Sequence, residues 1–138
     1  MVAQPWKFFA EIEPDHEYLV MSTFLPLEGS GMRRAFGRDV RRVERQLASS
    51  EGLVGYSLRV KFWRRHYWTL SVWEDERSLI AFSEAAPHRD VMAPRDWRLS
   101  GFKSVHWRVR GTEIPPTWRE TLDRLGSGQR NLRDGRPQ

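Results

Sequence analysis

Four segments of the chain combine aromatic, β-branched and other apolar residues in the pattern of β-strands. These segments are 17–25, 53–62, 66–73 and 102–110. Pro26 and the glycine-rich run after it end the first segment, and the last segment alternates strictly between apolar and polar residues. Runs of this kind bounded by turn residues predict strands, and the polar pair Arg64 and Arg65 predicts a hairpin between the second and third.

Two further segments have the periodicity of amphipathic helices. In residues 32–49, one face carries Phe36, Val40, Val43 and Leu47, and the opposite face carries Arg34, Arg38, Arg41 and Arg45. A shorter second helix is predicted to begin after Asp75 as N-cap, to bury Leu79 and Phe82, and to end near Pro87. The resulting βαββαβ order predicts an α+β, ferredoxin-like fold with an antiparallel sheet.

The chain divides into a leader, a folded domain, a C-terminal helical extension and a tail, at 1–16, 17–111, 112–125 and 126–138. Trp6, Phe8 and Phe9 of the leader would be costly to leave together in water, so we expect them to pack on the domain or across a dimer. The tail is polar and glycine-rich, and we expect it to be disordered.

Composition narrows the class of protein. A chain of 138 residues, 39% of them hydrophobic, can bury one core but not two, and seven tryptophans and seven phenylalanines indicate an aromatic-rich core. The absence of cysteine excludes disulfides, thiolate metal sites and a cysteine nucleophile. The first residues lack the apolar stretch of an export signal and no run is long enough to span a membrane, so we expect a cytoplasmic protein.

The net charge of +5 does not by itself indicate nucleic-acid binding. The arginines of the first helix lie opposite its apolar residues, where solvated charges are usually found. The four histidines, His16, His66, His88 and His106, show no metal-ligand spacing with nearby carboxylates. We therefore expect neither a zinc site nor a nucleic-acid partner.

Alternation along the strands predicts which side chains share a face of the sheet. The uniformly apolar sets are Tyr56, Leu58, Val60 and Phe62; Trp68, Leu70 and Val72; and Val105, Trp107 and Val109. We expect these sets to lie together beneath the two helices. The opposite face would then be polar and partly basic, with Tyr67 and Trp73 on it, and such a face needs a function.

The chain carries several short motifs from Gly52 onward. They are Gly52-Leu-Val-Gly-Tyr56, Tyr67-Trp-Thr-Leu-Ser-Val-Trp-Glu-Asp75, Leu79-Ile-Ala-Phe82 and Ala86-Pro-His88. Together with the order of elements over residues 17–110, they resemble the antibiotic-biosynthesis-monooxygenase-like superfamily of dimeric α/β barrels. The resemblance implies a homodimer in which the two sheets face one another, with the face not covered by helices lining a cavity for a small planar organic ligand.

Haem-degrading members of the superfamily use an Asn on the first strand, a Trp in the second helix and a His further along that helix. Here the first strand has Ser22 and Thr23 but no Asn, Phe82 stands where the Trp is expected, and His88 falls about a turn too early. The resemblance therefore does not imply haem degradation. We expect no cofactor, with haem binding through His88 or His106 as the alternative.

Six residues are candidates for the site that the resemblance implies. His106 and His88 are the catalytic candidates, and Tyr67, Trp73, Arg108 and Arg59 are the substrate-binding candidates. An imidazole with a pKa of about 6.5 can act as a general base, an arginine can orient an anionic or phenolic group, and aromatic rings can stack on a flat ligand. Each also has a structural interpretation: His88 could end the second helix as a protonated cap, the aromatic residues could anchor an interface, and the others could make interface hydrogen bonds or ion pairs.

These observations lead to four hypotheses of function. The first is a cofactor-independent monooxygenase that oxidises a planar aromatic or polyketide-like compound, and the second is a haem-binding or other non-catalytic ligand-binding protein. The third is RNA binding on the free sheet face, although residues 65–72 lack the glycine and the aromatic spacing of RNA-recognition domains. The fourth is a dimer that serves only in interaction or regulation.

Overall fold

The computed structural model describes residues 2–27, 33–91 and 101–127. The strands are β1 (Val2–Ala3), β2 (Lys7–Phe8), β3 (Glu17–Pro26), β4 (Leu53–Lys61), β5 (His66–Trp73) and β6 (Lys103–Arg110). The helices are α1 (Arg33–Ala48), α2 (Glu76–Glu84), α3 (His88–Val91) and α4 (Trp118–Ser127), with a 3-10 turn at Gly111–Glu113. The series β3-α1-β4-β5-α2-β6 confirms the predicted ferredoxin-like α+β fold. Most of the predicted disordered tail lies outside the described residues.

Local sequence explains where the elements begin and end. Asp75 is the N-cap of α2, as predicted, and its Oδ1 accepts a hydrogen bond of 2.8 Å from the backbone N–H of Ser78. Gly52 turns the chain from α1 into β4 with a φ of 81°, a conformation that glycine adopts without a steric penalty. Gly52 therefore permits the turn that connects α1 to β4.

The four long strands form an antiparallel sheet in the order β4-β5-β3-β6, so that β5 and β3 are central. The two short strands of the leader, β1 and β2, pair with β4. Thr23 on β3 lies opposite Thr69 on β5, and Tyr56 on β4 lies opposite Ser71 on β5. Directly opposed residues share a face, so this register decides which side chains α1 and α2 cover.

The predicted division of the sheet faces is wrong for β5 and β6. The helix-covered face combines the apolar set of β4 with the more polar sets of β5 and β6, namely Tyr56, Leu58, Val60, Tyr67, Thr69, Ser71, Trp73, Ser104, His106 and Arg108. The opposite face carries Trp68, Leu70, Val72, Val105, Trp107 and Val109. The prediction assumed one covered face and one open face. In the structure both faces are covered, so apolar residues are needed on both.

The core beneath α1 and α2 is built around aromatic rings. Trp73 is fully buried and packs against Phe82 of α2, with their ring centres 5.2 Å apart. Leu47 of α1 and Leu19 of β3 are buried in the same cluster. The amphipathic pattern therefore predicted correctly that Leu47, Leu79 and Phe82 face the sheet, although not which sheet residues they meet. The side chain of Phe36, also predicted to face inward, lies outside the described part of the structure.

A second core lies on the opposite face, beneath α4. Leu125 is buried among residues of β3, β5 and β6, and Trp118 packs at the edge of the same cluster. Thr121 is fully buried, and its hydroxyl donates to the Thr117 carbonyl at 2.8 Å. The C-terminal extension is therefore part of the folded unit.

The aromatic leader packs on the domain. Trp6 joins the second core, and Phe9 stacks on Tyr56 with ring centres 5.8 Å apart. The close approach requires glycine at position 55, because a Cβ there would lie 2.5 Å from Nε1 of Trp6. Phe8 is still 55% exposed, so the leader is only partly covered.

The basic face of α1 is solvated, as the sequence predicts. Arg38, Arg41 and Arg45 are exposed.

In the described part of the chain, no helix combines the length and the apolar character needed to cross a membrane.

Candidate ligand-binding site

A cavity of about 270 Å³ lies between the sheet and the helices α1, α2 and α3. Met21, Leu58 and Tyr67 are among the sheet residues that line it, and Val43 and Phe82 are among the helix residues. Most of the lining is apolar. The volume lies just below the range of about 300–1,000 Å³ for small-molecule pockets, so the cavity suits a compact organic ligand.

The inner side of α1 supplies one wall of the cavity. Its apolar residues are Val40, Val43 and Leu47. Two carboxylates, Asp39 and Glu44, line the cavity beside them. Asp39 pairs with Arg42, with 3.5 Å between Oδ1 and Nη1. Oε1 of Glu44 is buried and has no hydrogen-bond partner among the described residues, so this wall carries a buried acceptor with unused capacity.

Gln46 fixes the helices that close the cavity. Its Nε2 donates to the carbonyls of Phe82 at 3.0 Å and Ala85 at 3.3 Å, at the end of α2. Its Oε1 accepts from the backbone N–H of His88 at 2.9 Å, at the start of α3. One side chain of α1 thus holds both other helices and positions His88 against the cavity.

His88 lines the cavity in its neutral form. Burial lowers the pKa of the imidazole below its usual value, although the hydrogen bond to Ser83 opposes this shift. Nδ1 lies 3.0 Å from the Ser83 carbonyl, which can only accept, so Nδ1 carries the proton and Nε2 keeps its lone pair. The interpretation of His88 as a cap of α2 is correct in its contact, because Nδ1 donates to the Ser83 carbonyl in the last turn of that helix. It is wrong in its charge, because burial lowers the pKa of the imidazole.

Tyr56 brings a phenol to the same wall as Glu44. Burial raises the pKa of the Tyr56 hydroxyl, and the nearby Glu44 carboxylate raises it further. Lys7 of the leader acts in the opposite direction, with its Nζ 5.5 Å from the centre of the tyrosine ring. The hydroxyl therefore stays protonated at neutral pH.

Several other hydroxyl groups in the lining already have partners within the protein. The hydroxyls of Thr23 and Thr69 lie 2.6 Å apart across β3 and β5. Oγ of Ser71 accepts from Nε1 of Trp73 at 2.9 Å, and Oγ of Ser83 donates to a backbone carbonyl of α2 at 2.9 Å. Thr23, Thr69 and Ser71 therefore give the sheet side of the cavity a polar stripe, and these hydroxyls already form hydrogen bonds within the protein.

Three of the six predicted site residues line the cavity. Tyr67 and His88 do so from β5 and α3, and burial raises the pKa of the Tyr67 hydroxyl. Arg59 also contributes to the lining, but its guanidinium carbon lies 5.9 Å from the ring centre of Trp118, on the opposite face of the sheet. The structure therefore brings Tyr67 and His88 together at one site and turns the charge of Arg59 away from it.

The other three predicted residues lie outside the cavity lining. Trp73 is a fully buried core residue. Arg108 forms surface ion pairs, 3.9 Å from Oε1 of Glu17 and 3.7 Å from Oε2 of Glu76. His106 is half-buried on β6, opposite Met21 of β3. These residues share the helix-covered side of the sheet with the cavity but do not reach it.

Sequence reasoning missed Glu44 and Tyr56 as residues of the site. The signal for Glu44 was present, because positions 40, 43, 44 and 47 follow the spacing of the buried face of a helix. An acidic residue at an inward position of an otherwise apolar face indicates a polar function or a buried partner. Tyr56 was assigned to the core, and its hydroxyl was not considered.

Metal ligation finds no support in the described residues. Among them, no group of three or more His, Asp or Glu side chains is arranged to hold a metal ion.

Comparison with known sequences identifies a family. Residues 34–132 match the profile of a domain of unknown function, DUF3291. No curated protein sequence matches the chain.

Solved structures share the fold at low sequence identity. A candidate monooxygenase from Fusobacterium nucleatum is 13% identical with a TM-score of 0.54, over 78% of this chain and 48% of that one. A protein from Shewanella oneidensis is 11% identical with a TM-score of 0.54, over 76% and 97% of the two chains. A candidate antibiotic biosynthesis monooxygenase from Nitrosomonas europaea is 14% identical with a TM-score of 0.51, over 75% and 95%.

The present chain spans about half the length of the Fusobacterium protein, and at these identities the likeness concerns the fold alone. The family match, in contrast, extends from α1 through α4 and includes most of the helix and sheet residues around the cavity. The chain therefore belongs to the DUF3291 family and has the fold of the antibiotic-biosynthesis-monooxygenase-like superfamily.

Proposed function

We propose that the cavity binds a compact, planar and mostly apolar organic molecule, and that the protein oxidises it as a cofactor-independent monooxygenase. The observation that carries this proposal is a largely apolar cavity in which a neutral histidine, His88, retains a lone pair on Nε2. Perturbed titratable groups in a cavity are typical of functional sites. The monooxygenase-like fold supports the reaction class by analogy only.

The proposed reaction converts a phenol into a quinone. His88 accepts the phenolic proton, and the electron-rich phenolate transfers electrons to O₂ and combines with it at the ring carbon para to the oxygen. One oxygen atom stays on that carbon as the new carbonyl. The other leaves as water, with the two hydrogens that the substrate loses. For 1-naphthol, the balance is naphthol plus O₂ giving 1,4-naphthoquinone plus water, with the substrate as the only reductant.

Each cavity residue has a defined part in this proposal. Tyr67 contacts the ring system of the substrate, and the apolar lining excludes water from the intermediate. Gln46 is a positioning residue, because it holds His88 through the backbone. Trp73, His106 and Arg108 take no part in the proposed site.

Oxygen consumption with 1-naphthol tests the proposal. We expect the protein to consume one O₂ per quinone formed, and ¹⁸O₂ to label one quinone oxygen. His88→Phe should abolish turnover, whereas His16→Gln, a change at an exposed histidine, should not affect it. Failure of the wild-type protein to consume oxygen with 1-naphthol and a panel of dihydroxynaphthalenes would refute the catalytic part of the proposal.

Haem fits this cavity poorly. A porphyrin with four pyrrole rings and two propionates is larger than the ligand that about 270 Å³ can enclose. Asp39 and Glu44 on the wall would also repel the propionates. We therefore propose a site without haem. The alternative is a non-catalytic protein that binds the same organic ligand, and the oxygen-consumption experiment distinguishes it from the monooxygenase.

We further propose that the protein is a cytoplasmic homodimer. Phe24, His66 and Trp68 form an aromatic patch on the face opposite α1 and α2, and the Phe24 ring centre lies 5.1 Å from each of the other two. All three are partly exposed, which suits an interface anchor. Sedimentation should give a dimer for the wild type and a monomer for Phe24→Glu. A wild-type monomer at micromolar concentration would refute the dimer.

A further inference from the structure

The Glu44 carboxylate presents a buried acceptor to the cavity. Oε1 of Glu44 is inaccessible to water and has no hydrogen-bond partner among the described residues. Leaving a buried charged acceptor without a donor costs free energy, so such a group in a native structure calls for an explanation. A donor that arrives with the ligand is one explanation, because Glu44 lines the cavity.

The Tyr56 hydroxyl interacts with the Glu44 carboxylate, but Oε1 of Glu44 keeps no hydrogen-bond partner among the described residues. No Lys, Arg or His among the described residues forms an ion pair with Glu44. The Ser83 hydroxyl donates to a backbone carbonyl, and Nδ1 of His88 donates to another. Nζ of Lys7 lies 5.5 Å from the centre of the Tyr56 ring and interacts with the Tyr56 hydroxyl. These neighbouring donors already have partners, whereas Oε1 of Glu44 has none among the described residues.

The charge of the lining selects against anions. Asp39 and Glu44 are the acidic residues of the described lining, and Arg59 is its basic residue. The guanidinium of Arg59 lies over Trp118 on the other face of the sheet, and burial keeps His88 neutral. An anionic group in the cavity would meet the Glu44 carboxylate, which forms no ion pair among the described residues, in a site where low solvation strengthens repulsion.

We propose that Glu44 is the specificity-determining residue of the cavity. Through Glu44, the cavity binds apolar ring systems that carry a neutral or cationic O–H or N–H donor, and it rejects carboxylates. This inference rests on the proposed function, since it assigns a role within the same cavity. A phenol meets this requirement because its hydroxyl can donate to Oε1 of Glu44. A protonated amine should bind more tightly, because a hydrogen bond between opposite charges is stronger than a neutral one.

Three ligands with one ring system test the inference by calorimetry at neutral pH: 1-naphthylmethylamine, 1-naphthol and 1-naphthoate. We expect the wild type to bind the amine most tightly and the carboxylate at least about tenfold more weakly than the naphthol. Glu44→Gln should weaken the amine about tenfold or more and strengthen the carboxylate. Glu51→Gln removes an equal charge at an exposed turn and should change neither.

The possible failures are distinguishable. Similar binding of all three ligands, unchanged by Glu44→Gln, would overturn the role of Glu44 and leave the cavity as the binding site. If Glu51→Gln changed binding as much as Glu44→Gln, the selectivity would come from the net charge of the protein, and the proposed role of Glu44 would also be overturned. Absence of binding for all three ligands would overturn the proposed binding function itself, and the specificity with it.

Discussion

Gln46 on α1 accepts a hydrogen bond of 2.9 Å through its Oε1 from the backbone N–H of His88 on α3, across 42 positions of sequence. The same side chain donates to two carbonyls at the end of α2. Three elements therefore meet at one amide, and the cavity between them depends on it. A neutral His88 is held at the cavity because Gln46 fixes its backbone and Ser83 fixes its ring.

Gln46→Leu removes all three of these hydrogen bonds while keeping a similar volume. We expect a loss of about 1.5–4.5 kcal/mol in the free energy of unfolding, since each of the three bonds contributes roughly 0.5–1.5 kcal/mol net. Urea unfolding measures the change. Arg45→Leu, at the neighbouring exposed position of α1, is the control and should cost much less. Equal stability of the Gln46 variant and the wild type would show that the amide does not hold the helices.

The buried, neutral His88 makes stability depend on pH. Its pKa is lowered in the folded state, so the unfolded chain takes up a proton first as the pH falls. The stabilisation is complete above the unfolded pKa of about 6.5 and decreases as the pH falls below that value towards the folded pKa.

Urea unfolding between pH 7.5 and pH 5.5 tests this dependence. His88→Gln should flatten the decrease in stability towards acidic pH, whereas His16→Gln, at an exposed position, should leave it nearly unchanged. The same slope in the wild type and the His88 variant would contradict a neutral, buried His88.

Trp73 and Arg108 were both predicted to bind substrate, and the structure gives them different roles. Trp73→Ala should cost about 3–5 kcal/mol of stability, because it empties the fully buried centre of the first core. Arg108→Ala should cost less than about 1 kcal/mol, because its ion pairs are exposed to solvent. Thermal unfolding distinguishes the two. A small effect for Trp73 would contradict its placement in the core.

The C-terminal helix α4 should be essential to the folded unit. Leu125→Ala should destabilise the protein by about 2–5 kcal/mol, because Leu125 is buried in the second core. Arg119→Ala, on the exposed side of the same helix, should have little effect. If both variants unfolded at the same urea concentration, α4 would not cover the sheet as described.

The order of elements was predictable because its signals are local. The strand at 66–73 was predicted with its observed ends, and the Asp75 N-cap marked the start of α2. These features depend on a few neighbouring residues, such as a turn sequence or a side chain that accepts from a nearby backbone N–H.

The sheet faces were not predictable from alternation alone. Alternation assigns residues within one strand to two faces, but the relation between strands depends on the pairing register. Here β4 has an irregularity between Leu53 and Gly55, where Leu53 lies opposite Trp73 and Gly55 opposite Val72. In addition, α4 and the leader cover the second face of the sheet. This packing joins segments that are far apart in the sequence, so the pattern of a single strand does not predict it.

The candidate site was half predictable. Tyr67 and His88 were chosen for their chemistry, and both line the cavity. Glu44 was overlooked because only the arginines and the apolar residues of α1 were assigned to its two faces, whereas the position of Glu44 follows the inward spacing of the helix. Recognising the contribution of Gln46 required the three-dimensional contact between α1 and α3.

The most direct test of the account is to fill the cavity. Val43 lines it from α1, so Val43→Phe should occupy the space of the ligand, whereas Ile80→Phe adds bulk at an exposed position of α2. Calorimetry with 1-naphthol should show binding to the wild type and to Ile80→Phe, and at least about a tenfold loss for a folded Val43→Phe. Undiminished binding to Val43→Phe would contradict the central claim that the ligand occupies the space between α1 and the sheet.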